Sequence, residues 1–118
     1  MAASWNTDRR CDPDEQTRIT HRIALPPMCP ISGNPQAGEI QISYTPIGGV
    51  VIDVDDLAQE VISYVGGRGD VRDMERVIQR LAEWGAEVTG SQVVAEADLT
   101  IATRPASDSR LLVRCVRG

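Results

Sequence analysis

The chain has 118 residues, enough for one hydrophobic core and too few for two, which excludes a two-domain enzyme. Its 42% apolar and 25% charged residues are those of a folded globular protein. The 12 basic residues are all arginine and stand against 17 acidic ones, a net charge of −5 that argues against general binding to a phosphate backbone. Apolar runs are only a few residues long, and the polar, acidic start has no signal-peptide core, so a cytoplasmic protein without membrane spans is expected. Cys11, Cys29 and Cys115 are widely and irregularly spaced and His21 is the single histidine, so neither a disulfide framework nor a zinc site is indicated.

Residues 1–16, MAASWNTDRRCDPDEQ, have neither helical nor strand period and read as a loose leader; a flexible segment 1–17 then precedes one domain over 18–118. Thr17 to Ala24 read as extended, and LPPMCPISGNP over 25–35 reads as a rigid irregular loop that carries Cys29. Ile40, Ile42 and Tyr44 alternate with polar residues, the period of a strand buried on one face, and Pro46 to Gly49 supply a turn. Asp53 is a plausible N-cap for a helix with Leu57, Val61, Tyr64 and Val65 on one face, ending at Gly66-Gly67. A second helix is expected from an Asp70 cap, with Met74, Val77, Ile78 and Leu81 as its stripe and Gly85 as its stop after Trp84.

The remainder, AEVTGSQVVA, ADLTIAT and RLLVRCV, reads as extended, the first two segments being separated by Glu96 to Asp98. Strand pairs on either side of two helices indicate an α+β fold with an antiparallel sheet and both helices on one face. Such a sheet must cover its other face or close its edges, so self-association is expected.

Chemistry points first to the proline-rich loop. Pro26, Pro27, Pro30 and Pro35 restrict the backbone around Cys29, and a thiolate held in one orientation can add to an electrophilic carbon such as a nitrile. The competing reading is a buried small apolar side chain, which is also the reading for Cys115.

At this loop the sequence resembles a known family. MCPISGNPQAGEIQISYTP is similar to the Cys-Pro-x-Thr-Gly-Gln-Pro-Asp loop and following strand of the QueF nitrile reductases, which act on 7-cyano-7-deazaguanine in queuosine synthesis. VIDVDDLAQEVISYVGG falls on that family's first helix, RGDVRDMERVIQRL near its second, and EVTGSQVVAEADLTI resembles its closing strand pair, so the likeness covers about residues 18 to 103. It implies the tunnelling fold (T-fold), in which protomers join their sheets into a barrel-forming homo-oligomer with active sites between subunits.

By that resemblance Cys29 is the nucleophile that forms a covalent thioimide, and Ser32, matching the family threonine, orients the loop. The family's acid falls on Gln36, an amide that cannot deliver a proton as a carboxylic acid does; Glu39, His21 or a water are the candidate replacements. Asp73, with Glu75 second, is the match for the glutamate that takes the ring and amino N–H groups of the deazapurine.

The reductases also start their first helix with a lysine-rich NADPH motif. The matching positions here are Asp53, Val54, Asp55, Asp56, Leu57 and Ala58, and like charges about 4 Å apart repel by about 4 kcal/mol at an effective dielectric of about 20. No cofactor is therefore expected, NADPH belonging only to the alternative of a reductase. Family members that lack this motif, the QueF-like amidinotransferases, add ammonia to the thioimide and release a formamidine, as in archaeosine. The expected activity is amidinotransferase-like, on a free 7-deazapurine or on one already in tRNA or DNA; a non-catalytic deazapurine-binding scaffold is the other alternative.

Overall fold

Ile40, Ile42 and Tyr44 are fully buried, so the alternation over residues 40–45 marks a strand with one face in the core. The computed structural model describes residues 10–24, 36–64, 68, 69, 71, 73–101 and 109–118, without the side chains of residues 36, 37, 101 and 109. In chain order these hold β1 (Ile19–Ala24), β2 (Gln36–Tyr44), α1 (Val54–Ile62), α2 (Met74–Thr89), β3 (Val93–Ile101) and β4 (Ser109–Arg117). The protein is a small α+β domain whose strands form one antiparallel sheet in the order β1-β2-β3-β4, with both helices inserted between β2 and β3.

The register decides which residues reach the core. Ile42 lies opposite His21 and Ala95, and Ala95 opposite Cys115, so one face carries Ile19 and Ile23, Ile40 to Tyr44, Val93 to Leu99, and Leu111 to Cys115 at every second position. Those apolar side chains pack with Leu57, Val61 and Tyr64 of the α1 segment and with Val77, Ile78 and Leu81 of α2 in one cluster. Burying each of the larger ones contributes about 1.5–3 kcal/mol. Cys115 is a half-buried free thiol on the rim of this cluster.

Four expectations are corrected. The helix expected to stop at Gly85 continues to Thr89, because an added Cβ at Gly85 would lie 3.2 Å from Val93 Cγ1: the glycine is where α2 comes close to the sheet. Gly90, at φ 67° in the left-handed region, ends the helix, with its N–H donating to Ala86 O. The N-cap of α2 is Asp73 and not Asp70, which lies outside the described residues. The two extended segments read over 86–95 and 97–103 are instead the last turn of α2 followed by one strand running unbroken through Glu96 to Asp98.

Fourth, the first helix, expected to end at Gly66-Gly67, stops at Ile62 with Ser63 as C-cap, and Val65 to Gly67 lie outside the described residues. Arg10 bridges to Val50 and the Cys11 N–H donates to Gly49 O at 2.8 Å, backbone contacts that side-chain period does not reveal.

The opposite face of the sheet carries ion pairs beside the exposed side chains of Leu112 and Val116. Arg22 pairs with Glu39 at 3.0 Å, Arg114 with Glu96 at 3.6 Å, and Arg110 donates to both carboxylate oxygens of Asp98, which holds that carboxyl below the usual aspartate range. Exposed pairs of this kind add little stability, but they make the face wettable. The edge strands β1 and β4 add a second reason to expect association.

Candidate functional site

Ala24 pairs with Glu39 at the last rung of the β1–β2 ladder, and the loop 25–35 joins the two strands at that end of the sheet. Cys29 and Ser32 lie in this loop, outside the described residues. Gln36 is the first residue of β2, where its backbone pairs with Ile101 of β3. From Thr89 the chain folds back into β3 through Gly90 to Gln92, and α2 packs on β3 and β4 with Gly85 against Val93. The N-terminus of α2 is thus directed toward the end of the sheet where Gln36 pairs with Ile101.

At that N-terminus the two candidate acids do different things. Asp73 Oδ1 accepts the Arg76 N–H at 2.8 Å, so this carboxylate is engaged as the helix cap. Glu75 is exposed in the first turn and has no hydrogen bond or ion pair among the described residues. Among the described residues, Glu75 is the acid of the pair that is not engaged in capping the helix.

The candidate replacements for the missing acid are dispersed. Glu39 lies on the ion-paired face, bound to Arg22. His21 lies on the helix-covered face, stacked on Tyr44 with ring centroids 5.8 Å apart and its Nε2 3.1 Å from Tyr44 Oη. The Ile52 N–H donates to that same hydroxyl at 2.8 Å, so the hydroxyl hydrogen can be turned to His21. Both side chains are committed within the sheet.

The start of α1 is acidic in structure as in sequence. Asp53 Oδ1 accepts the N–H groups of Asp55 at 2.9 Å and Asp56 at 3.3 Å, and the latter two carboxylates occupy the exposed first turn. Acids suit the helix dipole here and oppose a phosphorylated ligand. Among the described residues no group of three or more His, Cys, Asp or Glu is placed to hold a metal ion, and no helix is long and apolar enough to cross a membrane. The ion-paired sheet face carries an open depression of about 390 Å³ whose lining includes Arg22, Glu39, Glu96, Asp98 and Arg114 together with the apolar Leu112.

One cluster was missed by the sequence reading. Glu60 is 5% exposed on the buried side of α1, and its Oε1 accepts from Tyr64 Oη at 3.0 Å and from Arg68 Nη1 at 3.1 Å. Arg68 Nη1 also donates to Ser63 Oγ at 2.9 Å, and its guanidinium lies 5.1 Å from the centre of the Tyr64 ring. The available signal was spacing: Glu60 follows Leu57 by three residues and precedes Tyr64 by four, which places it on the apolar stripe.

Burial, and then the Glu60 carboxylate, push the Tyr64 hydroxyl above the ordinary tyrosine range, against the opposing pull of Arg68 and Arg80. The native state then keeps a proton that the unfolded chain releases as the pH rises past the ordinary phenol range. This contribution to stability is complete below that range and is lost as the pH climbs toward the native value. Melting temperature against pH is expected to fall more steeply on the alkaline side for wild type than for Tyr64→Phe; equal slopes would show that the hydroxyl is not held by this cluster.

No protein-family model and no curated protein matches the chain.

Proposed function

We propose that this protein is a QueF-like enzyme of the tunnelling-fold type, which captures 7-cyano-7-deazaguanine through Cys29 and converts its nitrile to a formamidine with ammonia. The observation that carries the reading is a juxtaposition. The chain that carries Cys29 and Pro30 leads into β2 at Gln36, at the end of the sheet toward which the start of α2, with Asp73 and Glu75, is directed, and this supports the reading of Cys29 as nucleophile and Glu75 as acceptor.

The chemistry balances without a redox partner. The Cys29 sulfur adds to the nitrile carbon and a proton goes to the nitrogen, giving a thioimide. Ammonia then adds to the same carbon, and the thiol leaves as the formamidine forms. The acidic start of α1, with Asp53, Asp55 and Asp56 where the reductases carry lysines, weighs against NADPH and hence against the reductase alternative.

The fold supplies the means of assembly. β1 and β4 are both edge strands, and pairing β4 of one copy with β1 of the next would extend the sheet toward the barrel of the tunnelling fold. Gln36 favours a second reading, a deazapurine-binding scaffold that has lost its catalytic acid.

Intact-mass measurement of the purified protein with 7-cyano-7-deazaguanine tests the proposal. The expected result is a mass gain of one nitrile molecule, absent in Cys29→Ala, and turnover to formamidine when ammonia is added. Folded wild-type protein that gains no mass overturns the covalent mechanism. Binding that survives in Cys29→Ala, with no product from any nitrogen donor, selects the scaffold, and NADPH oxidation that depends on the nitrile selects the reductase. Presenting the base free, in tRNA and in DNA separates the substrates.

A further inference from the structure

We infer that Glu60, acting through Arg68, is a positioning residue that fixes how the chain enters α2 and so places Glu75 for the deazapurine. The inference rests on the reading above, in which the first turn of α2 recognises the base.

A carboxylate buried beside Leu57 and Val61 is not needed to fill the core, since an apolar side chain of similar size would serve stability as well or better. What Glu60 adds is a fixed point for Arg68. The guanidinium donates to Glu60 Oε1 and Ser63 Oγ and lies over the Tyr64 ring, so a side chain that is half-exposed is held by three groups of one helical segment. Ser63 is itself fixed, its Oγ donating to Glu60 O at 2.6 Å.

The backbone of Arg68 carries that position onward. Its N–H donates to Val71 O at 3.2 Å and its carbonyl accepts the Val71 N–H at 2.9 Å, which closes a tight turn with Gly69 at φ 59°. Val71 is buried in the core, and two residues later Asp73 caps α2, with Glu75 in its first turn. Val71 and Met74, both buried, hold the turn and the start of α2 on their core side. The arginine clamp adds a fixed point at the half-exposed side of the turn.

The test compares wild type with Glu60→Gln, Arg68→Met and Arg68→Lys. Amide hydrogen exchange is read at Val71, which donates to Arg68 O, and at Arg76, which donates to Asp73 Oδ1, with Leu81 inside α2 as reference. Affinity is read with 7-deazaguanine, which has no nitrile and so separates base recognition from thioimide formation. Glu60→Gln and Arg68→Met are expected to speed exchange at Val71 and Arg76 about tenfold with Leu81 unchanged, and to weaken 7-deazaguanine about tenfold. Thioimide formation at saturating nitrile should stay within about twofold of wild type, and Arg68→Lys should restore most of both losses.

Exchange that rises equally at Leu81, or not at all at Val71 and Arg76, overturns the inference, because the clamp would then serve only general stability or Val71 and Met74 would hold the turn alone. Exchange that changes as expected while affinity does not overturns its functional half. A wild-type protein that binds no 7-deazaguanine overturns the reading on which that half rests, and the exchange measurement still decides whether Arg68 sets the start of α2.

Discussion

Gly38→Ala is expected to lower the unfolding free energy by about 3 kcal/mol or more, the upper end of what overpacking costs. Gly38 sits in β2 opposite Leu99, and a Cβ added there would lie within 2.9 Å of Leu99 Cα and against the carbonyl oxygen of Asp98. Both are backbone atoms, which cannot rotate aside as the end of a side chain could. The β2–β3 ladder must open instead, and each backbone hydrogen bond stretched in the process forfeits about 1 kcal/mol. Gly48→Ala is the control, since nothing lies within 4 Å of its added Cβ. Urea titration should give a large drop in midpoint for Gly38→Ala and almost none for Gly48→Ala; equal midpoints would show that the two strands do not approach this closely at residue 38. The position bears on function because Gly38 stands two residues after Gln36, so opening the ladder there also releases the strand that anchors the cysteine loop.

Local pattern was enough for some elements and not for others, and the difference is physical. The alternation of Ile40, Ile42 and Tyr44 and the cap at Asp53 are local signals, and the structure contains both. Gln36 to Gly38 carry no strand period, yet they are strand because β3 offers them partners. Ala86 to Thr89 contain β-branched residues that favour a strand, but packing of α2 on the sheet keeps them helical, and the Thr89 hydroxyl donates to Gly85 O at 2.8 Å. Asp70 and Asp73 are equally good caps as residue types. The Arg68–Val71 turn intervenes, and only the second aspartate immediately precedes Met74.

The candidate site divides in the same way. Cys29 stands out by chemistry, because a thiol among prolines is unusual whatever the fold. The difference between Asp73 and Glu75 became readable only with the helix start in place, since one residue caps and the other does not. Glu60 could be placed on the apolar stripe by spacing, but its pairing with Arg68, eight positions on, is a relation that helical spacing does not contain. The ion-paired face likewise depends on register: Arg22, Glu39, Asp98 and Arg110 become neighbours only when four strands are aligned.

Gln36→Asp is expected to speed thioimide formation from 7-cyano-7-deazaguanine by about 10² to 10⁴, the usual contribution of a positioned general acid. In the proposed reaction the Cys29 sulfur adds to the nitrile carbon, the nitrogen gains an electron pair and needs a proton in the same step, and an amide N–H is far too weak an acid to give it. A carboxyl group at the first residue of β2, opposite Ile101 and directly following the cysteine loop, restores the residue type that the resemblance places there. Its rate should rise as the pH falls toward the carboxyl range, for as long as Cys29 still supplies thiolate, whereas the wild-type rate has no such limb. Neither Glu39, paired with Arg22, nor His21, stacked on Tyr44, is released by the change, so a gain in rate belongs to position 36. Stopped-flow absorbance of the thioimide over a pH series measures it, with Cys29→Ala as the blank. A Gln36→Asp protein that folds, binds the base and reacts no faster than wild type would mean that the proton comes from elsewhere, and that residue 36 does not face the nitrile nitrogen.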